Sequence, residues 1–416
     1  MDNRPGLNPR RLVYLMQEAV RRCELDLRGV TVLTEAATGA YVVTPVLAAM
    51  AGADVYAVTR TTRYGTVEEV QEATERLAAL AGVARGVHVL TAKSLEVVRE
   101  ADIVTNSGHL RPIDGEVVRW MKPTAVVPLM YETWEFRSAD VDRAACETRG
   151  IPIAGTNERH AAIDVFSFLG VMAVKLLLEA GVGVYRGSIL LLCDNDFCPF
   201  IQRGLENCGA RVEVCGSVSG LCERGRHDAI LVAANPQDHP PLSAGEATWI
   251  AHQWPGAVVA QFWGDIDRSS FAAAGVPVWP PEAPPPGHMG VLPSAVGPEP
   301  IVRLQAGGLK VGEILHRERR AGRSAGEALA ILGQTGYGVA LGGPSGAIPP
   351  ADHTEEVAAR RPLGGGGGES QPWMRRVRPV NQGGRRVPAG SQLASGTSAA
   401  VPGVVRGGGT LDPLPM

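Results

Sequence analysis

His288 is the residue best suited to proton transfer in the second half of this 416-residue chain. It stands in the segment PPEAPPPGHMG, where prolines stiffen the approach and the flanking glycines permit a sharp turn. An imidazole exchanges a proton near neutral pH, and a carboxylate can orient it. Asp265 and Asp267 follow the preceding apolar run in QFWGDID, so Asp265 is our candidate partner for His288, although both aspartates could simply begin a helix.

A second polar group, Asn106, Ser107 and His109, follows an apolar run in the first half of the chain. His109 is a further candidate for proton transfer, and Asn106 could contact a cofactor or substrate. The alternative is that His109 caps a turn. The segments MYETWEF and GTNERH are also polar stretches that end apolar runs.

The turn TEAATGAYVVTP could hold a phosphate, because Thr38, Gly39 and Ala40 lie where backbone amides begin a helix. It keeps one glycine of the GxGxxG fingerprint of dinucleotide-binding turns. Glu35 stands in the same turn and would repel an anion. A tight strand-to-helix turn without a ligand is therefore an equal alternative.

Arg60 and Arg63 follow the second apolar run, where a ribose-reading residue normally stands in a dinucleotide-binding domain. An acidic residue there favours NAD, whereas arginines can receive the 2′-phosphate of NADP. The alternative is two solvated arginines in a chain rich in arginine.

The corresponding turn in the second half reads LLLCDNDFCPF. Asp194, Asn195 and Asp196 occupy the place of the glycines, and their carboxylates and bulk oppose a pyrophosphate. Asp194 and Asn195 are our candidates for ligand contact here. They could also cap the helix, or bind a hydroxylated or cationic ligand.

The elements that must position these residues alternate between short apolar runs and helical stretches. The runs VTVLT, ADVYAVT, VHVLT, DIVTN, AVVPLM and IPIAG occupy residues 28–158, and SILLLCD, RVEVCG, AILVAANP and AVVAQFWG follow in 186–320. Fully apolar strands that alternate with helices indicate parallel sheets covered on both faces. We predict an α/β protein with two doubly wound, Rossmann-like domains. The polar residues after the strands should then meet in a cleft between the domains.

Three further segments complete the organisation that we predict. A docking helix occupies residues 1–27, where apolar residues recur at helical spacing, and a bridging helix occupies 159–185. A return helix closes the second domain before residue 320. Residues 343–416 are rich in Gly, Pro, Ser and Arg, so we predict a disordered tail.

Composition excludes several classes of function. A formal charge of −3 gives no basic face for a nucleic acid. The chain has no run of about eighteen uncharged apolar residues and no signal-peptide core, so we predict a cytoplasmic protein without membrane contact. None of the seven cysteines forms a CxxC pair, so no metal site is expected. A metal-dependent lyase or hydrolase that uses Asp194, Asp196 and histidines is a weaker alternative.

The stretches FRSADVDRAACETRGIPIAGTNERHAAIDVFSFLGVMAVKLL and VYRGSILLLCDNDFCPFIQRGLENCGARVEV resemble the interdomain junction of the D-2-hydroxyacid dehydrogenase family. The resemblance covers about residues 100–320 and is one of architecture. It implies NAD or NADP as cofactor and a catalytic histidine at His288. The chain departs from the family at the glycine turn, at the catalytic arginine expected before Asp265, and at the acidic partner, so only His288 is carried over.

We therefore expect an NAD(P)-dependent oxidoreductase that acts on a small polar acid in the interdomain cleft, with a homodimer as one arrangement. His288 would be the acid-base group, and Thr38, Gly39, Arg60 and Asn106 would contact the cofactor or substrate. The alternative is a non-catalytic ligand-binding or regulatory protein derived from a dehydrogenase, which the DNDFCPF turn favours.

Overall fold

Two parallel β-sheets organise the chain in the computed structural model, which describes residues 4–217, 225–237, 242–285 and 287–342. The predicted disordered tail at 343–416 lies outside the described residues. This α/β architecture with two Rossmann-like sheets confirms the predicted fold class.

The first sheet carries its strands in the order β3-β2-β1-β4, followed by β5, β6 and an edge strand. Its strands are β1 (Thr31–Glu35), β2 (Asp54–Val58), β3 (Val87–Leu90), β4 (Ile103–Val104), β5 (Val127–Pro128), β6 (Ile153–Thr156) and the edge strand β12 (Gly338–Ala340). A parallel bridge between Ile103 and Val126 joins β4 to the segment that leads into β5. The first six strands therefore run 3-2-1-4-5-6 across the sheet, and β12 pairs antiparallel with β6.

The second sheet is parallel throughout and has the order β11-β10-β9-β7-β8. Its strands are β7 (Ser188–Leu192), β8 (Arg211–Cys215), β9 (Ala229–Ala233), β10 (Val258–Trp263) and β11 (Val278–Trp279). The residues of β9 are all buried, as expected for a strand covered on both faces.

Helices cover both sheets. Those before the second sheet are α1 (Pro9–Arg22), α2 (Val43–Met50), α3 (Val67–Leu80), α4 (Leu95–Glu100), α5 (Gly115–Trp120), α6 (Arg143–Thr148) and α7 (Phe168–Glu179). The helices that follow the first strand of the second sheet are α8 (Cys198–Asn207), α9 (Ala244–Gln253), α10 (Arg268–Ala273), α11 (Glu299–Arg320) and α12 (Ala325–Thr335). We call residues 4–167 with 298–342 the first lobe, and the described part of 168–297 the second lobe.

Helix α1 begins where the sequence supplies a cap and a proline. The Asn8 side chain accepts a hydrogen bond from the Arg10 amide, and Pro9 takes the first helical position. The buried face carries Leu12, Leu15, Met16 and Ala19 and packs in one apolar core with α2 and α11.

Helix α11 packs on the first lobe, whereas the sequence grouped this return helix with the second domain. Its glycines allow the helix backbone to lie close to the first-lobe sheet. A Cβ atom on Gly308 would lie 2.5 Å from Met130 Sδ, and one on Gly312 would lie 2.9 Å from Ile103 Cγ2. A bare helix face therefore lies directly against the strands β4 and β5. Helix α12 and strand β12, which the sequence analysis did not predict, complete this lobe.

Helix α7 begins at Phe168 and packs against α8 in the core of the second lobe. The predicted bridging helix covered 159–185, but the part before Phe168 consists of turns. In the described residues, no helix is both long enough and apolar enough to cross a bilayer.

The contact between α7 and α8 gives a stability prediction. A Cβ atom on Gly204 would lie 2.4 Å from Gly170 Cα, so Gly204→Ala must push the two helices apart. We expect a loss of about 1–3 kcal/mol in the free energy of unfolding, measured by denaturant titration.

The matched control is Gly333→Ala on α12, where a Cβ atom meets nothing within 4 Å. This variant should be neutral or more stable by up to about 1 kcal/mol, because alanine is the better helix former. Equal stability of Gly204→Ala and wild type would contradict the packing described here.

Candidate functional site

The carboxyl ends of the two sheets line a shared cavity of about 340 Å³. First-lobe loops after β5 and β6 form one side, and second-lobe loops after β7, β9 and β10 form the other. The residues that shape it most are Glu132, Trp134, Arg159, Asp194, Phe197 and Trp263. Ligands of open α/β sheets bind at these strand ends, so this cavity is the candidate site.

Aromatic rings form one wall of the cavity. Trp134 belongs to the first lobe, and its ring centre lies 4.9 Å from that of Trp263 and 6.0 Å from that of Phe197. Trp263 and Phe197 both belong to the second lobe. The Phe197 and Trp263 rings lie 5.0 Å apart, and Phe166 meets Phe197 edge to face. Trp134 is 43% exposed whereas Phe197 and Trp263 are buried, so a ligand can reach the wall through Trp134.

Glu132 is held in place beside this wall. Its Oε2 accepts a hydrogen bond from Trp134 Nε1 at 2.9 Å, and its Oε1 accepts one from the Glu158 amide at 3.2 Å. Arg159 Nε lies 3.8 Å from the same Oε1. The Arg159 guanidinium also pairs with Asp196 of the second lobe, so one arginine links the carboxylates of the two lobes.

Three carboxyl groups, Glu132, Glu135 and Glu158, gather behind the cavity. Burial raises the pKa of Glu135 to about 7, and the neighbouring Glu132 charge adds to this. Burial also raises the pKa of Glu132, and it raises that of Glu158 well above its usual value. At least one of these groups can therefore hold a proton near neutral pH and release it to a bound molecule.

The crevice between β1 and β4 contains an internal carboxyl group. Glu35 is buried and accepts a hydrogen bond from the His109 amide at 3.0 Å, while the Gly108 amide acts on the same carboxyl. A Cβ atom on Gly108 would lie 3.0 Å from Glu35 Oε2, so a residue without a side chain permits this contact. Burial raises the pKa of Glu35, which favours its neutral form.

Asn106 lies fully buried at the end of β4 and has one free polar atom. Its Oδ1 accepts a hydrogen bond from the Met130 amide at 2.8 Å, but its Nδ2 has no hydrogen-bond partner within the described residues. An unpaired buried donor costs free energy, so a ligand acceptor at this position would be favourable.

The remaining first-lobe candidates surround the same crevice. Thr38 Oγ1 donates to the Tyr64 carbonyl at 3.3 Å, Gly39 has φ of +65° with open space around it, and Ala40 is buried. Arg60 is exposed, and its charge together with burial lowers the pKa of His109. The structure thus brings Arg60 and His109 near the Glu35 carboxyl group at the end of β1, and Thr38 contacts the segment after β2 through Tyr64.

Tyr41 follows the turn after β1 and is 38% exposed. Burial, then the charges of Glu35, Glu135 and Glu158, raise the pKa of its hydroxyl to about 12.

The second-lobe turn bonds to itself. Asp194 Oδ1 accepts a hydrogen bond from the Asn235 amide at 2.8 Å, and Asn195 Oδ1 accepts one from the Phe197 amide at 3.0 Å. Asn195 Nδ2 donates to the Ala233 carbonyl at 2.8 Å. The side chains that replace the glycines therefore occupy the mouth between β7 and β9, and Asp194 and Asn195 line the cavity.

The His288 ring reaches the first lobe. Its Nε2 lies 2.7 Å from Arg137 Nη2, and because a guanidinium only donates, this nitrogen accepts and carries no proton in that contact. Asp267, which the sequence left between two roles, caps α10 by accepting a hydrogen bond from the Ser270 amide at 3.2 Å. Asp265 lies partly exposed in the loop before that cap.

Sequence reasoning did not single out Glu132, Trp134, Glu135 or Arg159. The available signal was their position in MYETWEF and GTNERH, directly after apolar runs. Among the described residues, no group of three or more His, Cys, Asp or Glu side chains is placed to hold a metal ion.

No protein-family model matches the chain, and no curated protein is similar to it in sequence. Solved structures with a similar fold include a dipicolinate synthase subunit from Bacillus halodurans, at 11% identity and a TM-score of 0.45, covering 68% of this chain and 96% of that one. NAD-dependent formate dehydrogenase from Staphylococcus aureus in complex with NAD has 12% identity and a TM-score of 0.42. The match covers 69% of this chain and 94% of that one.

NAD+-bound 3-phosphoglycerate dehydrogenase from Entamoeba histolytica has 10% identity and a TM-score of 0.35. The match covers 71% of this chain and 96% of that one. At such values the fold assignment rests on the strand orders given above, and the function on this chain's own side chains.

Burial of Glu135 gives a pH prediction. Its folded pKa of about 7 exceeds the ordinary glutamate value of about 4.3, so the folded state binds more protons than the unfolded state between these values. The free energy of unfolding contributed by this group therefore falls as the pH rises through that window. In Glu135→Gln this loss disappears, so the variant should gain about 1–3 kcal/mol relative to wild type between pH 4.5 and pH 7.5.

Urea titrations of both proteins at several pH values measure this gain. The control is Glu72→Gln, which removes an exposed carboxyl group on α3. A difference between Glu135→Gln and wild type that stays constant from pH 4.5 to pH 7.5 would show that Glu135 is not held in a protonating environment.

Proposed function

We propose that the chain is an NAD(P)-dependent oxidoreductase that acts on a small polar acid in the cavity between its lobes, with the cofactor on the first lobe. One observation carries the proposal. The 3-2-1-4-5-6 strand order brings the turn after β1, the end of β2 and the loop after β4 around a single crevice. In sheets of this order, a dinucleotide binds at such a crevice.

The residues of the first-lobe crevice fit a dinucleotide. The turn from Ala36 to Ala40 carries small side chains, and the open space at Gly39 allows a phosphate to approach the backbone. The buried Asn106 Nδ2 offers a donor that has no partner in the described residues. Arg60 follows β2, where a guanidinium favours the 2′-phosphate of NADP.

Glu35 does not exclude an anion at this crevice. Its carboxyl group faces the Gly108 and His109 amides, and burial favours its neutral form. The second-lobe turn fits a pyrophosphate less well, because Asn195 already takes the Phe197 amide and Asp194 and Asp196 add negative charge.

NAD(P) supplies the hydride chemistry when it is bound. The chain's own residues would orient the substrate and handle its proton. His288 Nε2 and the Glu135 carboxyl group are acid-base candidates. Arg159, which lines the cavity, and Arg137, which contacts His288, can pair with a substrate carboxylate. His109 is the corresponding candidate inside the crevice.

A second candidate function is ligand binding without catalysis. The self-bonded Asp194–Asn195 turn favours it, because a turn that no longer admits a pyrophosphate has lost one cofactor position. Thermal stability separates the two functions, since a ligand of the folded state must raise the melting temperature. The homodimer and the cytoplasmic location stay predictions.

The cofactor proposal is tested on the full chain with NAD, NADH, NADP and NADPH. We expect NADPH at millimolar concentration to raise the melting temperature more than NADH. Arg60→Ala should weaken NADPH binding about tenfold, or about 1.4 kcal/mol, in isothermal titration and leave NADH binding unchanged.

Arg76→Ala, which removes an exposed arginine on α3, is the control for a loss of positive charge. Stabilisation by NAD and NADH alone would overturn the assignment of Arg60 to a 2′-phosphate. No stabilisation by any of the four dinucleotides would overturn the oxidoreductase and leave the binding protein.

A further inference from the structure

The cavity between the lobes carries more negative than positive charge. Glu132, Asp194 and Asp196 line it, and Arg159 is the one basic residue among its lining side chains. Glu135 and Glu158 lie directly behind, close enough to act on Glu132. A purely anionic ligand would meet this excess at every position away from Arg159.

Two of the lining carboxylates, those of Asp194 and Asp196, are only partly satisfied by the protein. Asp194 is exposed to the cavity and uses Oδ1 for both of its hydrogen bonds, from the Asn235 amide and Asn195 Nδ2. Its Oδ2 makes no hydrogen bond within the described residues. The Asp196 side chain is 73% exposed, and among the described residues its partner is the guanidinium of Arg159. Acceptor positions are therefore available to a donor on a ligand.

The aromatic wall stands on the same cavity as these acceptors. The indole rings of Trp134 and Trp263 contact each other, and the Phe197 ring packs against both. The face of an aromatic ring attracts a cation, most strongly for tryptophan. The protein already uses this contact once at the site, because the Arg159 guanidinium lies 5.4 Å from the centre of the Phe166 ring.

We infer that the substrate of this cavity carries a cationic nitrogen, an ammonium or guanidinium group, which lies against Trp134 and pairs with Glu132 and Asp194. The inference names the substrate class of the site and so rests on the function proposed above. The carboxylate of the same substrate faces Arg159. The ligand is thus a small zwitterionic or amino-bearing acid, within the 340 Å³ of the cavity.

The arrangement assigns separate tasks to the two kinds of group. The carboxylates select for charge, while the rings exclude water and strengthen the charge pairing. A neutral molecule of the same shape would gain the apolar contact but leave the excess negative charge uncompensated.

The test compares benzylammonium chloride with benzyl alcohol, a neutral molecule of nearly equal shape, by isothermal titration of the full chain at constant ionic strength. Benzylammonium should bind at least tenfold more tightly. Glu132→Gln and Asp194→Asn should each weaken benzylammonium binding at least fivefold and change benzyl alcohol binding less than twofold. Asp194→Asn keeps the shape of an exposed side chain, so the test does not depend on the buried Glu132.

Two further variants sharpen the result. Trp134→Leu keeps an apolar side chain but removes the ring, so it should reduce the preference for benzylammonium over benzyl alcohol at least threefold. Glu72→Gln, outside the cavity, should leave that preference unchanged. Equal binding of the two probes to wild type, or an unchanged preference in Asp194→Asn, would overturn the inference.

The dinucleotide titrations separate this failure from failure of the oxidoreductase. If NADPH stabilises the chain while the two probes bind equally, the cationic substrate is wrong and the oxidoreductase stands. If benzylammonium is preferred and no dinucleotide binds, the cation site stands and the chain is a binding protein.

Discussion

The burial of carboxyl groups beside Arg159 is the interaction on which the cleft depends. Glu132 and Glu158 lie almost out of solvent, with Glu135 next to them, and Arg159 is the cation that contacts this group and Asp196 together. A buried negative charge is costly unless it is paired, hydrogen-bonded or neutralised by a proton. Burial raises the pKa values of Glu132, Glu135 and Glu158, so protonation of a carboxyl group is one way in which this cost is met. A ligand with a positive charge would solve it differently, so binding and protonation are linked at this site.

The glycine face of α11 is what allows the first lobe to present its half of the cleft. With Gly308 against Met130 and Gly312 against Ile103, the helix lies close behind β4 and β5. Met130 in turn donates its amide to Asn106 Oδ1, which fixes the loop at the end of β4. The packing of α11 against the sheet is thereby connected to the position of the Asn106 side chain at the carboxyl end of β4. Larger residues on this helix would move the strands that carry the site.

Much of the fold was predictable from the sequence, because buried strands of a parallel sheet are continuous apolar runs and AILVA, SILLL and TVLTE stand out against polar turns. Chain order alone grouped helix α11 with the second lobe, whereas it packs on the first. The local sequence of the helix does not show which lobe its glycine face will contact. At the site, position after a strand drew attention to Asn106 and Asp194, and the structure places Asp194 in the lining of the cavity. The roles of Glu132 and Arg159 depend on contacts between lobes, and spacing along the chain contains no information on those.

The two lobes differ in the polar turn that follows the first strand of each sheet, and this difference bears on which ligand each lobe could bind. In the family that the sequence resembles, the glycine turn of the second domain holds the cofactor. In this chain that turn contains Asp194 and Asn195, whose side chains close it by bonding to Asn235 and Phe197. Carboxylates that repel a phosphate attract an amine, so the substitution that removes one ligand chemistry supplies the other. In the function proposed above, the second lobe contributes Asp194, Phe197 and Trp263 to the substrate site, and the first lobe contributes Trp134. The first lobe would also hold the dinucleotide, with its small-residue turn at Gly39 and with Asn106 Nδ2, which has no hydrogen-bond partner in the described residues.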